Sequence, residues 1–214
     1  MQMIKGIDIL LHGNDGTEVI SNVLVGEPTS AEVTDLAEND GLITYLLAIP
    51  KGDTHEWVDR KIEFSGETFR TIGYPLQGIE ANMPLSWHKK VRVERLKTNA
   101  DCTIYEKDTF EKHIFKDVHY CDNRGEVYSK DGVKVKGDVN IHIYAVNMSD
   151  FSYFPRLGDI VVFGECDFDF DTTSEKSISE SMTEFRKLHP DYSSVNASSR
   201  KLYGSLPDYV VTSR

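Results

Sequence analysis

The 214-residue chain has no glycine-rich phosphate cradle of the GxGxxG or GxxxxGK[ST] type, and neither GxSxG nor HExxH occurs. Nucleotide-dependent and hydrolase chemistry of those kinds has no support in it. Basic charge is also scarce: 24 lysines and arginines stand against 35 aspartates and glutamates, for a net charge of −11. Residues 1–96 carry 9 basic and 15 acidic side chains and residues 97–214 carry 15 and 20, so neither half is a basic module. Nucleic-acid affinity comes largely from phosphate neutralisation and counterion release, which an acidic chain cannot supply. The same acidity suits a protein that DNA only passes through, because negative walls prevent sticking. Apolar runs stop well short of the ~20 residues a membrane span needs. Met1 to Leu11 lacks the charged start, apolar stretch and small-residue cleavage site of a signal peptide, so cytosolic synthesis without membrane insertion is expected. Cysteine is limited to Cys102, Cys121 and Cys166, an odd number without CxxC spacing, which reads as free thiols in a reducing compartment.

What the chain does have is strand-forming sequence. Hydrophobic residues make up 39% of it, enough to build a core, and its length accommodates two domains of about a hundred residues. Extended apolar runs fall at Ile4 to Leu11, Val19 to Val25, Leu42 to Ile49, Lys61 to Phe64, Glu67 to Ile72 and Val91 to Leu96, with turn signals at Ser65-Gly66 and Gly73-Tyr74-Pro75. Ser30 is placed to cap one short helix inside the polar stretch that ends at Asn39. Short strands at this spacing indicate a small barrel or sandwich.

The second half repeats this layout. Asp101 precedes a short strand as Asp8 does, Asp117-Val118 follows Asp101 by 16 residues as Asn22-Val23 follows Asp8 by 14, and Phe163-Gly164 echoes Phe64-Ser65. Tandem duplication is one reading, and chance likeness between two sets of hairpins is the other. The second half adds a helix over Ser174 to Leu188, with Ile178, Met182, Phe185 and Leu188 on one face and His189-Pro190 ending it, and an Asp131-Gly132 hairpin turn. The expected fold class is therefore mainly β with short helices (α+β). It comprises two tandem small β-barrel-like domains, residues 1–96 and 97–214, the second carrying a helix before its last strand.

Few side chains are arranged for chemistry. Asp53, His55 and Glu56 could act as base or ligand, but they also fit a solvated loop anchored by Trp57. His113, His119 and Cys121, with His142 and Cys166 on neighbouring strands, offer zinc-type donors, though a buried cysteine is commonly a small apolar residue. Asp167, Asp169 and Asp171 alternate with Phe168 and Phe170, as on a strand with one acidic and one aromatic face. No catalytic residue, cofactor or metal is assigned from these patterns.

From Leu47-Ala48-Ile49-Pro50-Lys51-Gly52-Asp53-Thr54-His55-Glu56-Trp57 through Thr71-Ile72-Gly73-Tyr74-Pro75, Gly78-Ile79-Glu80, Pro84-Leu85 and Trp87, residues 1–96 resemble the head-tail joining or head-closure proteins of tailed phages and prophages, also called neck or minor capsid proteins. The second half resembles a small uncharacterised family from similar prophages. The first resemblance implies a virion protein assembled in the host bacterial cytoplasm into a ring of roughly six or twelve copies. Such a ring joins portal and adaptor to the tail or tail terminator, with DNA passing through. Two segments are then candidates for subunit contacts or the channel: the polar stretch bearing Glu27, Ser30, Glu32, Asp35 and Glu38, and the loop bearing Asp53, His55, Glu56 and Trp57. Two alternatives remain open at this point. One is a carbohydrate- or ligand-binding module using Trp57, Tyr74, Trp87 and Tyr153, and the other is a metal-dependent enzyme using His55, Glu56, His88 or the His119 and Cys121 pair.

Overall fold

The computed structural model describes residues 5–13, 16–29, 44–129, 132–203 and 206–214. The chain divides into two compact units, Met1–Lys97 with Leu202–Pro207, and Thr98–Lys201 with Asp208–Arg214. Among the described residues no helix is long and apolar enough to cross a membrane.

The first unit is a closed six-stranded antiparallel barrel. Its strands are β1 (Ile7–Gly13), β2 (Gly16–Gly26), β3 (Tyr45–Pro50), β4 (Lys61–Phe64), β5 (Glu67–Gln77) and β6 (Trp87–Arg95), in the order β1-β2-β3-β6-β5-β4, with β4 returning to β1. Period-2 alternation turns Ile9 and Leu11 of β1, Ile62 and Phe64 of β4 and Val91 and Val93 of β6 inward. Phe64 and Phe69 stack at 4.2 Å in the core, and Tyr45 meets both edge-on. Gly73-Tyr74-Pro75 is not a turn, as the sequence suggested. β5 runs through it with a register shift between Ile72 and Leu76, and Gly73 takes φ +64° at that irregularity. The short helix expected after Ser30 falls on residues outside those described; of the expected hairpin turn Asp131 also lies outside them, whereas Gly132 pairs with Ser129 in an antiparallel ribbon, as the hairpin signal implied.

The second unit is built on β7 (Ala100–Tyr105), β8 (Lys112–Asp122), β9 (Gly125–Ser129), β10 (Gly132–Lys136), β11 (Val139–Ile143), β12 (Ile160–Phe163), helix α1 (Glu175–Leu188), β13 (Ser193–Tyr203) and β14 (Leu206–Ser213), except that the ends of β13 and β14 within Leu202–Pro207 group with the first. Its barrel runs β7-β8-β11-β14-β13-β12 and closes on β7, and β9 and β10 form a separate ribbon. If the six barrel strands of each unit are lettered a to f in chain order, both barrels close as a-b-c-f-e-d.

The repeat extends to local irregularities. Strands a and b slip register between Ile7 and Ile9 in the first barrel and between Ala100 and Cys102 in the second. At the bulge, Asn22 and Asp117 both adopt left-handed backbone, φ 60° and 49°. Strand d then ends at Phe64 and at Phe163, each followed by a left-handed residue, Ser65 or Gly164. Beyond that point the halves part. In the first barrel Ser65-Gly66 turns directly into β5, whereas Glu165 to Thr173 leads to α1.

The Asp167–Asp171 segment accordingly forms no strand among the described elements. Its alternation instead docks Phe168 and Phe170 beneath α1, against Tyr105, Ile160, Val162 and Phe185, and leaves the three aspartates exposed. This explains the unbroken run Ile160-Val161-Val162: Val161 fills the barrel interior while its neighbours are covered by the helix side. Ser174 caps α1 by accepting from the Ser177 N–H at 3.1 Å. Phe185 is fully buried and Met182 partly, but Leu188, at the last position of the predicted apolar face, is exposed.

Candidate functional site

The loop between β3 and β4 carries the cluster singled out in the sequence, and Asp53 is its centre. Its carboxylate accepts from Lys89 Nζ of β6 at 2.6 Å, from Trp57 Nε1 at 2.7 Å and from His55 Nδ1 at 2.6 Å. His55 Nε2 reaches Glu18 of β2 at 2.9 Å. Trp57 is buried in the barrel core, which draws the loop inward, and the indole N–H then needs the acceptor that Asp53 provides.

Burial pushes the Asp53 carboxyl upward, but the hydrogen bonds from Lys89, His55 and Trp57 together outweigh it and hold the carboxyl below its usual range. The bond to Asp53 first, and then that to Glu18, raises His55 above the ordinary imidazole value. With both ring nitrogens of His55 and both oxygens of Asp53 engaged, the cluster serves as a loop anchor whose donors and acceptors face one another. Glu56 points outward to Arg60 at 2.6 Å. His88 is buried on β6 with Nε2 3.1 Å from Glu80, apart from the Asp53 network. Glu27 is exposed, and Ser30, Glu32, Asp35 and Glu38 lie outside the described residues.

The zinc-type donors His113, His119, Cys121, His142 and Cys166 do not bring three ligand atoms together. His119 and His142 are partners across β8 and β11, and Cys121 faces Asn140. His142 lies beside the Tyr144 ring at 4.4 Å and 3.6 Å from Asp208. Cys166 is buried with Sγ 3.3 Å from His189 Nε2. All three cysteines are free thiols, and burial pushes the Cys102 thiol far upward. His113 instead lies with Glu106 and Glu111 at the turn of the β7–β8 hairpin, a grouping that imidazole and thiolate positions alone do not mark. Its signal is Glu106 and Glu111 flanking a four-residue turn, with His113 two positions on.

The four aromatic residues considered for a ligand platform do not form one: Trp57, Trp87 and Tyr153 are interior, and Tyr74 alone is exposed. A groove of about 700 Å³ on the second unit is lined by Tyr120, Phe163, Leu188 and Tyr192. Its Arg124 is locked to Asp122 by Nε at 3.0 Å and Nη2 at 2.7 Å.

A further surface feature is the stretch from Tyr74 to Leu85, where Tyr74, Leu76, Ile79, Met83 and Leu85 are 72, 52, 71, 36 and 59% exposed. Lone exposed apolar residues are ordinary, but five along the end of β5 and the connection after it are not.

Fold and side chains together define a tandem six-stranded β-barrel protein whose most suggestive polar cluster is an anchoring network. The chain belongs to DUF6751, a family of unknown function, whose model matches residues 97–214. No curated protein and no solved structure matches the chain.

Proposed function

We propose that this chain is a structural ring subunit of the head-tail connector of a tailed bacteriophage. It joins portal and adaptor to the tail and surrounds the passage taken by DNA. The observation that carries this reading is the exposed apolar stretch Tyr74 to Leu85, because it coincides with part of the pattern that resembles head-closure proteins. Tyr74, Ile79 and Leu85 belong to that pattern, yet they do not serve the barrel core. Apolar side chains kept at the surface suit contacts with a neighbouring subunit.

Barrel closure fits the same role. Both six-stranded sheets lack open edges, so neighbours have to meet through loops and side chains, or through the β9–β10 ribbon, whose outer edges pair with no strand among the described residues. The net charge of −11 suits walls that DNA slides past. A barrel of one topology occurring twice, with the same bulge, supports the view that the second unit is a divergent duplicate of the first, extended by α1 and the ribbon.

The test is the light-scattering mass of the full chain with portal and adaptor proteins from the same genome. A multi-subunit complex is expected, and a mass that stays monomeric in their presence counts against the proposal.

A further inference from the structure

We propose that the turn of the β7–β8 hairpin is a divalent-cation site, held by Glu106, Glu111 and His113 and best suited to Zn²⁺. This inference is independent of the connector reading. One donor atom from each of the three residues lies within 4.8 Å of the other two.

The backbone sets this arrangement. Ile104 pairs with His113 and Tyr105 with Lys112, and the Glu106 N–H donates to the Glu111 carbonyl at 3.0 Å, which places the two glutamates opposite each other across the hairpin. His113 is two residues beyond Glu111 and so shares its face. The turn is fixed by left-handed Phe110, φ 58°, whose N–H donates to the Glu106 carbonyl at 2.9 Å. Thr109 Oγ1 donates to Glu106 Oε2 at 3.0 Å, leaving Oε1 toward His113 Nε2 at 3.1 Å. Two ligands each about 2.1 Å from a tetrahedral ion stand roughly 3.4 Å apart, so this pair is close to coordinating separation.

The imidazole is also held from behind. The His113 ring stacks on Tyr153 at 3.7 Å and 4°, and the Tyr153 hydroxyl donates to buried Asp159 at 2.6 Å. Metal-bound imidazoles are usually oriented by a hydrogen bond from the second ring nitrogen; here the stacking on Tyr153 fixes the ring plane instead. Among the described residues the Glu111 carboxylate has no hydrogen-bond or ion-pair partner, and the adjacent Lys112 is turned to Asp169 at 2.9 Å. Among the described residues neither carboxylate pairs with a lysine or arginine, Glu106 being met by Thr109 and His113, and a bound cation supplies the balancing charge.

One imidazole with two carboxylates is a borderline donor set. It suits Zn²⁺ better than Ca²⁺, which takes six or more oxygens. Three protein ligands leave a fourth position for water or for a group from another molecule.

Isothermal titration of the chelator-stripped full chain with ZnCl₂ tests the site. One equivalent is expected to bind. Glu111→Gln should weaken binding about tenfold or more and His113→Gln should abolish it, while His119→Gln leaves it unchanged. Because the Glu111 carboxylate is unpartnered, Glu111→Gln should leave the unfolding temperature of the metal-free protein where it was, which separates ligand loss from misfolding. No saturable uptake by the wild type up to roughly 0.1 mM would overturn the proposal. Undiminished binding by Glu111→Gln and His113→Gln would overturn it equally.

Discussion

Asp53 remains ionised although its side chain is only 4% exposed, because three donors converge on it. Removing its charge leaves Lys89 buried beside a neutral amide, so Asp53→Asn is expected to cost about 3 kcal/mol in urea denaturation. Asp53→Asn combined with Lys89→Met should recover part of that loss, since the stranded cation is then removed too. The pH dependence has two sides. His55 is raised above its usual 6.5, so its contribution is complete below that value and fades as pH rises through its folded pKa. Asp53 is held below its usual 3.8, so its contribution is present above that value and fades as pH falls through its depressed folded pKa. The stability difference between wild type and His55→Gln should therefore shrink toward alkaline pH, and an NMR titration of His55 should give a midpoint above 6.5. Asp53, His55 and the anchor Trp57 stand out in the sequence because they lie within one loop. Lys89 and Glu18, which decide what the cluster is, do not, because β6 and β2 deliver them from 36 and 37 residues away.

The strands and the helix follow from local rules, whereas their irregularities follow from pairing. Ser174 is recognisable as a cap before a helical run, and Ser174→Ala should lower stability by about 1 kcal/mol, read as a shift in denaturation midpoint. The a–b bulge is held differently. Asn22 sits at φ 60° and its Oδ1 accepts from the Gly6 N–H at 2.9 Å, and in the second barrel Asp101 Oδ1 accepts from the Asp117 N–H at 2.9 Å. Asn22→Val should lose roughly 1–3 kcal/mol, because a β-branched residue resists that backbone and cannot accept the bond. Gly6→Ala should be at least as damaging, since a Cβ there would stand 2.4 Å from the Asn22 carbonyl carbon. The sequence echo of Asp8 and Asn22 in Asp101 and Asp117 marks these positions, but only the register shows that they form a bulge. Gly73-Tyr74-Pro75 misleads for the converse reason: the same residue types serve a turn or a strand irregularity, and the β6 pairing decides between them. The aspartate–phenylalanine alternation misleads likewise, because an extended segment beneath a helix alternates as a strand does.

At the level of the whole molecule, barrel closure depends on contacts between strands distant in sequence, β1 with β4 and β7 with β12, which no local pattern encodes. Two barrels of one topology were nevertheless foreshadowed by the order and spacing of the echoed segments. The exposed stretch from Tyr74 to Leu85 was not, because its apolar residues look like core until burial separates them from Phe69 and Ile72. If this stretch forms the subunit contact, Ile79→Asp with Leu85→Asp should abolish assembly in sedimentation velocity while leaving thermal stability close to wild type, both side chains being largely exposed. The most direct test of the connector role is a cryo-electron microscopy map of the neck of virions from the genome encoding this chain. The account predicts a ring beneath portal and adaptor into which the first six-stranded barrel fits, with Tyr74 to Leu85 at the contact between adjacent copies. A neck whose density is fully assigned without this chain would contradict it.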